Sequence, residues 1–424
     1  MHFAKGFSPH RLKRIGSSFR TMRSAATALA RRRGEERLTV AIDIAALWEP
    51  LTGIGWYLYR LLENLAHRDD LRLRLYGPTT VWSPDSTPPV VELPEGPAIE
   101  LVSRRVPEDF ILPAGWIIRL LRRLEPILIA ADGNDVLFAP NYFLPRRYRL
   151  ARGARVTTIH DLGMRRVPWT LRSETLSELR GQLERQVAES DRLITVSRAV
   201  REELQEYGYA EPDRVHAIHH GPGQLAAVEP GPLPPELPHR FGLHVGTLEP
   251  RKNITVLIEA WRLARERLPD CPPLILCGRY GWKTEEIHSA VEQAKTEGWV
   301  EHLGYVEDPQ LAALYQHAAV VVFPTIYEGF GLPAVEALWG ETPLVCSDLP
   351  VLHEATGGAA LFAPADRPDL FAEAIVSVLT SAELGRQLVE KGRHRVRELS
   401  WQKTSRSTAD VWFEAAGRET DDHE

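Results

Sequence analysis

The sequence predicts an α/β protein made of two doubly wound parallel-sheet domains facing a cleft. Short, almost wholly apolar runs such as Val320-Val321-Val322-Phe323 recur along the chain, which suits strands buried on both faces. Most are followed by a glycine or polar turn and then by apolar residues at helical spacing, giving a βα alternation. One proline-dense stretch, Glu229 to Pro238, interrupts that alternation and lets it restart.

The first strand is Leu38-Thr39-Val40-Ala41-Ile42-Asp43-Ile44. The turn Thr52-Gly53-Ile54-Gly55 follows, and then a helix with Ile54, Leu58, Leu61, Leu62 and Leu65 on one face. Residues 78–113 are rich in proline and read as loops around short strands. Trp116, Ile117, Leu120, Leu121 and Leu124 form a helical stripe, with Arg119, Arg122 and Arg123 as a solvated other side. Val136–Phe138, Val156–Ile159, Leu193–Val196 and Val215–Ile218 are further strands, and Ser197 stands where a helix N-cap is expected.

Five prolines in the ten residues 229–238 exclude helix and central strand, leaving a semi-rigid linker. Beyond it, Phe241–Val245 is a strand, and a helix capped by Asn253 buries Ile254, Leu257, Ile258 and Trp261. Leu274–Cys277, Val320–Phe323 and Pro343–Cys346 are strands, and residues 369–380 a helix. The expected domains are therefore 35–228 and 239–400.

With 424 residues, 44% hydrophobic and 25% charged, the chain suits two ordinary globular domains and excludes a fibrous or disordered form. Three cysteines are too few for a disulfide framework or a zinc site, and with no cleavable secretory signal they imply a reduced, cytoplasmic setting. No apolar run is long enough to span a bilayer. Residues 1–34 hold nine Lys/Arg and no acid, which leaves 42 basic residues against 57 acidic ones in the remainder. Such a leader reads either as a segment drawn to an anionic membrane surface, with Ile15, Phe19, Met22 and Ala26 along one side, or as a solvated tail. No nucleic-acid-binding module follows it.

The richest motif runs from Thr325 to Leu338, with Glu328 and Glu336 eight positions apart around Gly329, Gly331 and Pro333. Pro333 marks a helix start near Leu332. Gly329 and Gly331 allow the main chain close to a ligand, and the N–H groups of residues 331–334 at the helix end suit an anion. Glu336, on the first turn, can reach hydroxyls on the anion's carrier. A phosphate, a polyol and a carboxylate meeting at one helix end describe a sugar-nucleotide site. In Gly246-Thr247-Leu248-Glu249-Pro250-Arg251-Lys252-Asn253, adjacent cations suit a pyrophosphate, arginine as a fork and lysine as a point charge. Gly53 and Gly55 permit approach to phosphate from the other domain. His160 and Asp161 end a strand, where Asp161 either orients the imidazole or binds an acceptor hydroxyl.

The Thr325–Leu338 pattern resembles the paired-glutamate signature of the family-4 retaining glycosyltransferases, which have the GT-B fold, and Gly246–Asn253 resembles the donor-phosphate loop of their mannosyltransferase-B-like branch. The resemblance spans roughly residues 38–416, leaving 1–34 outside. It implies that the last helix, 401–417, returns to the first domain. It implies a hexose, foremost mannose from GDP-mannose and next a UDP-sugar, moved with retention to a growing lipid-linked surface glycan. Glu328 would hold the sugar, with the N–H groups of Phe330 and Gly331, and Glu336 the ribose. Leu332 would complete that donor site, Gly53 and Gly55 would close over the diphosphate, and His160 would contact the transferred sugar. Arg251 and Lys252 would hold the phosphates with no metal or other cofactor. Two alternatives stay open: a sugar-nucleotide 2-epimerase of the same fold, and a catalytically silent assembly subunit. The second ordinarily lacks the phosphate cations or the first glutamate, all of which are present here.

Overall fold

The computed structural model describes residues 37–48, 51–78, 81–82, 89–105, 114–142, 144–223, 225 and 228–419. The basic leader 1–34 lies outside these residues. Its strands are β1 Leu38–Asp43, β2 Leu71–Tyr76, β3 Val81–Trp82, β4 Ile99–Leu101, β5 Arg104–Arg105, β6 Val136–Ala139, β7 Ala154–Ile159, β8 Arg192–Thr195, β9 Val215–Ala217, β10 Gly242–Val245, β11 Leu274–Cys277, β12 Val300–Gly304, β13 Val320–Phe323, β14 Leu344–Ser347 and β15 Leu361–Ala363.

Two parallel sheets result, in the orders β4-β2-β1-β6-β7-β8-β9 and β12-β11-β10-β13-β14-β15, with β3 and β5 as a separate pair. In each the chain runs outward from the first strand and then returns to its other side. The order therefore reverses between β1 and β6 and between β10 and β13. Ligands of open α/β sheets collect beyond the carboxyl ends of the strands at that reversal. The loops after β1, β10 and β13 are the ones that carry Gly53, Arg251 and Glu328.

The first domain's core joins β1, β2 and β6 to Leu58, Leu61 and Leu62 of helix Gly53–Leu65. Helix Trp401–Ala416 packs into this same core through Trp401, Trp412 and Phe413, with the Phe138 and Trp412 rings 5.0 Å apart. The chain thus crosses to the second domain and back. Residues 229–238 contribute Leu233 and Leu237 to the edge of a second-domain cluster.

The arginine-bearing helix forms at Ala114–Ala131, but its orientation corrects the expected division of faces. Leu120 and Leu124 point to solvent together with Arg122 and Arg123, while Ile129 is buried. No helix among the described residues is long and apolar enough to cross a membrane.

The two domains touch through specific polar contacts. Glu354, from helix Pro350–Thr356, accepts the backbone N–H groups of Arg198 and Ala199 at 2.7 and 3.1 Å, and pairs with His219. It thereby caps helix Arg198–Glu206 of the opposite domain alongside Ser197, the expected N-cap, whose hydroxyl accepts from Val200 N at 3.2 Å. At the other flank Trp282 Nε1 donates to the Thr170 carbonyl at 2.6 Å, and Lys283 Nζ to those of Trp169 and Leu171 at 2.7 and 2.8 Å.

Candidate active site

The loop after β10 forms a short turn at Pro250–Lys252 that aims Arg251 and Lys252 at the loop after β13. Arg251 Nη1 lies 2.8 Å from Glu328 Oε1, and Lys252 Nζ lies 2.6 Å from the same oxygen. Arg251 is forked onto a second carboxylate, with Nη2 2.8 Å from Glu249 Oε1. Thr325 Oγ1 donates to Glu328 at 3.0 Å, and Arg251 Nη1 also reaches the Tyr327 carbonyl at 3.1 Å. The two sequence motifs thus meet in one cluster.

Electrostatics follow from burial. The Lys252 and Glu328 side chains are 8% and 10% exposed. Burial raises the Glu328 carboxyl, but the charges of Arg251 and Lys252 override this and hold it down to about 2. Lys252 is lowered by burial and by the neighbouring Arg251, against the pull of Glu328. Its ammonium lies 4.8 Å from the centre of the Phe323 ring, a cation–π contact.

Asn253 corrects one expectation. It stands at the start of helix Ile254–Arg267 with a left-handed φ of 59°, and its side chain does not cap that helix. Its Nδ2 instead donates to the carbonyls of Pro324 and Ala365, at 3.1 and 2.7 Å. The residue locks the cation loop to the carboxylate loop.

Helix Leu332–Trp339 begins as Pro333 predicts, after Gly331 at φ 93°. Its anion-facing amides are fewer than expected. Proline has no N–H, and Ala334 N donates to the Gly331 carbonyl at 3.0 Å. That leaves the Gly331 and Leu332 amides outside the helix's own ladder. Glu336 projects from the same end and accepts from Tyr315 OH at 3.0 Å. Burial raises its carboxyl to about 7, and the charge of Lys252 acts on it in the opposite sense.

Gly329 serves a purpose the sequence does not announce. A Cβ there would fall 1.8 Å from the His160 carbonyl oxygen, so the bare Cα lets the second domain seat against the end of β7. Ser197 Oγ donates to the Gly329 carbonyl at 2.7 Å. Phe330 is buried against the His219 and His220 rings, at 5.6 and 5.2 Å. Leu332 lies across the same junction from Gly53, whose Cβ would be 3.5 Å from Leu332 Cδ1. Gly55 departs from the phosphate expectation: it lies within the helix, and a Cβ there would meet Leu51 at 2.8 Å and the Ala46 carbonyl at 3.3 Å.

His160 is buried, and its Nε2 lies 2.7 Å from the Pro140 carbonyl. A carbonyl only accepts, so Nε2 carries the proton and Nδ1 has a free lone pair in the neutral ring. Burial lowers its pKa. The ring is oriented by Pro140 and by edge contacts with Tyr57 at 5.1 Å and Tyr142 at 6.0 Å. Asp161 Oδ1 accepts from Gly163 N at 2.8 Å, shaping the loop.

Sequence reasoning missed Glu249, Thr325 and Tyr327. Tyr327 OH accepts from Leu162 N at 2.7 Å and donates to Glu203 Oε2 at 2.7 Å, so it bridges the domains beside Glu328. Glu249 stood inside a quoted motif, and its acidity next to a required cation was the available signal. Tyr327 gave none, because its partners lie more than 120 positions away.

A family model described as Glycosyltransferase Family 4 matches residues 51–221, and one described as Glycosyl transferases group 1 matches residues 233–395. The chain belongs to the family-4 glycosyltransferases. It is 29% identical to the O-antigen chain mannosyltransferase B of Escherichia coli over 386 residues, which covers 86% of this chain and 96% of that protein. Among solved structures, sucrose-phosphate synthase from Thermosynechococcus elongatus aligns with a TM-score of 0.68 at 22% identity, over 89% of this chain and 99% of the other. Alr3699/HepE from Anabaena, in complex with UDP and glucose, aligns with a TM-score of 0.61 at 16% identity, over 89% and 100%. This transferase therefore has the GT-B fold, with the Arg251–Lys252–Glu328 cluster at the switch point of its second domain.

Proposed function

We propose that this transferase moves a hexose, foremost mannose from GDP-mannose, onto a growing lipid-linked surface glycan, with retention of anomeric configuration and without a metal ion. The convergence of Arg251 and Lys252 on Glu328, at the sheet reversal where a ligand is expected, carries the proposal. The mannosyltransferase named above favours mannose and a surface glycan. Cleavage of the sugar–phosphate bond builds positive charge on the sugar and negative charge on the leaving phosphate. Cations fixed before the bond breaks stabilise that charge most effectively. Arg251, Lys252 and the Gly331 and Leu332 amides supply this role.

Both cations are paired with Glu328. A diphosphate competes for them and frees the Glu328 carboxylate to hold sugar hydroxyls. Glu336 then takes the ribose hydroxyls in place of Tyr315. His160 Nδ1 accepts from a hydroxyl of the transferred sugar, and Asp161 from the acceptor. We assign no protein nucleophile: the leaving phosphate takes the acceptor's proton during attack on the same face. The reaction is placed at the cytoplasmic face of a membrane, where a lipid-linked acceptor and a soluble donor meet. Calorimetry against GDP, UDP and ADP, with NMR of the anomeric proton in the product, tests the assignment. Tight GDP binding and a retained configuration are expected. An inverted product, or activity abolished by EDTA, would overturn it.

A further inference from the structure

Among the described residues, six of the eight large apolar side chains that stand exposed come from residues 90–150, within the first domain. Four of them lie on two adjoining segments. Leu120, Leu124 and Ile127, 39%, 38% and 56% exposed, follow one another at helical spacing on the outer face of helix Ala114–Ala131. Leu150, 49% exposed, follows the short turn Arg146–Tyr148 that packs on this helix. A water-facing helix normally turns its polar side outward, and this one turns leucine and isoleucine outward.

The exposed charges on these two segments are of one sign. Arg122 and Arg123 on the helix, and Arg146, Arg149 and Arg152 beside it, are all exposed. Across residues 114–131 and 144–152 the sequence holds one acid, Glu125. It is buried and lies 4.0 Å from Arg147, so it offers no counter-charge at the surface. The remainder of the chain beyond residue 34 is strongly acidic overall, so this basic, apolar face stands out from its own protein.

We infer that the outer face of helix Ala114–Ala131, with the Arg146–Arg152 segment, docks on an anionic lipid bilayer, its aliphatic side chains entering the interface and its arginines pairing with headgroup phosphates. A second protein with an acidic groove would satisfy the charges, but five arginines interspersed with protruding aliphatics fit the layered chemistry of a bilayer surface: apolar beneath, anionic above. The surface shares no residue with the cluster around Glu328, so it holds whichever donor or acceptor is used.

The chain offers a clean probe. All three of its cysteines, Cys271, Cys277 and Cys346, are buried, so Ile127→Cys in the full chain presents one accessible thiol for an environment-sensitive fluorophore. Glu390→Cys, on helix Ala382–Glu398 of the second domain, serves as control, the Glu390 side chain being 76% exposed. Vesicles of phosphatidylcholine with one quarter phosphatidylglycerol should blue-shift and brighten the label at 127, leave the label at 390 unchanged, and lose their effect in high salt. In co-sedimentation with the same vesicles, the double variant Arg122→Glu/Arg123→Glu should bind at least tenfold more weakly than the parent, with GDP affinity unchanged. No shift at 127, equal shifts at 127 and 390, an equal response to pure phosphatidylcholine, or a shift driven by protein concentration without vesicles would each overturn the inference.

Discussion

Glu328→Gln tests whether the carboxylate is the counter-ion of the cations proposed to bind phosphate. Arg251 and Lys252 together lower the Glu328 carboxyl from an ordinary 4.5 to about 2 despite its burial. A shift of that size is worth about 3 kcal/mol. Glutamine keeps the shape and the Thr325 hydrogen bond but removes the charge, leaving the buried Lys252 without its carboxylate. Breaking one partner from a buried pair costs about 3–5 kcal/mol, and the lower end applies here because Glu249 still holds Arg251. A diphosphate restores the missing negative charge and no longer has to displace a competitor. GDP should therefore bind roughly tenfold to a hundredfold more tightly to the variant, about 1.4–3 kcal/mol, while sugar transfer is lost. Titration calorimetry with GDP and denaturant unfolding with and without GDP, both at low salt and neutral pH, read these effects. A variant with parental stability and parental GDP affinity would refute the counter-ion argument.

Other perturbations test the remaining parts of the site. Burial raises the Glu336 carboxyl from 4.5 to about 7. The folded state therefore keeps a proton that the unfolded chain releases above pH 4.5, and the stability this provides is complete below 4.5 and lost as pH rises through 7. Glu336→Gln should gain about 3 kcal/mol over the parent between pH 4.5 and 8, read by denaturant unfolding across that range; a pH-independent difference counts against it. Arg251→Ala should cost about 2–4 kcal/mol of transition-state stabilisation, measured as kcat/KM, and parental rates would remove the residue from the mechanism. Gly329→Ala places a methyl 1.8 Å from the His160 carbonyl and should force the domains apart there. Transfer should fall by a hundredfold or more while GDP affinity changes little, and near-parental transfer would deny the close approach its importance.

Much of this architecture was legible from local pattern. The apolar runs became the two parallel sheets, because strands buried on both faces have little freedom of composition. Pro333 marked a helix start and Ser197 a cap, since both effects act within one turn. Arg251, Lys252 and Glu328 were singled out one by one, and their meeting followed from the rule for sheet reversals. What stayed hidden depended on distant partners. Gly329 looked like a glycine for a ligand, yet its neighbour is the His160 carbonyl of the other domain. Asn253 looked like a cap, yet two carbonyls from later loops hold it in a left-handed conformation. The stripe containing Leu120 and Leu124 was found by its spacing, but spacing does not reveal which side faces the sheet.

Two of the inter-domain contacts differ in how readily they can part, and substrate traffic should follow that difference. At Glu354 a carboxylate 7% exposed terminates a helix of the facing domain, so separation there would strand two backbone amides and a desolvated charge. At the other flank, Lys283 is joined to carbonyls of residues 169 and 171 by contacts already open to water, which can take over those bonds at little cost. Opening of the cleft should therefore be easier along the Lys283 flank than at Glu354.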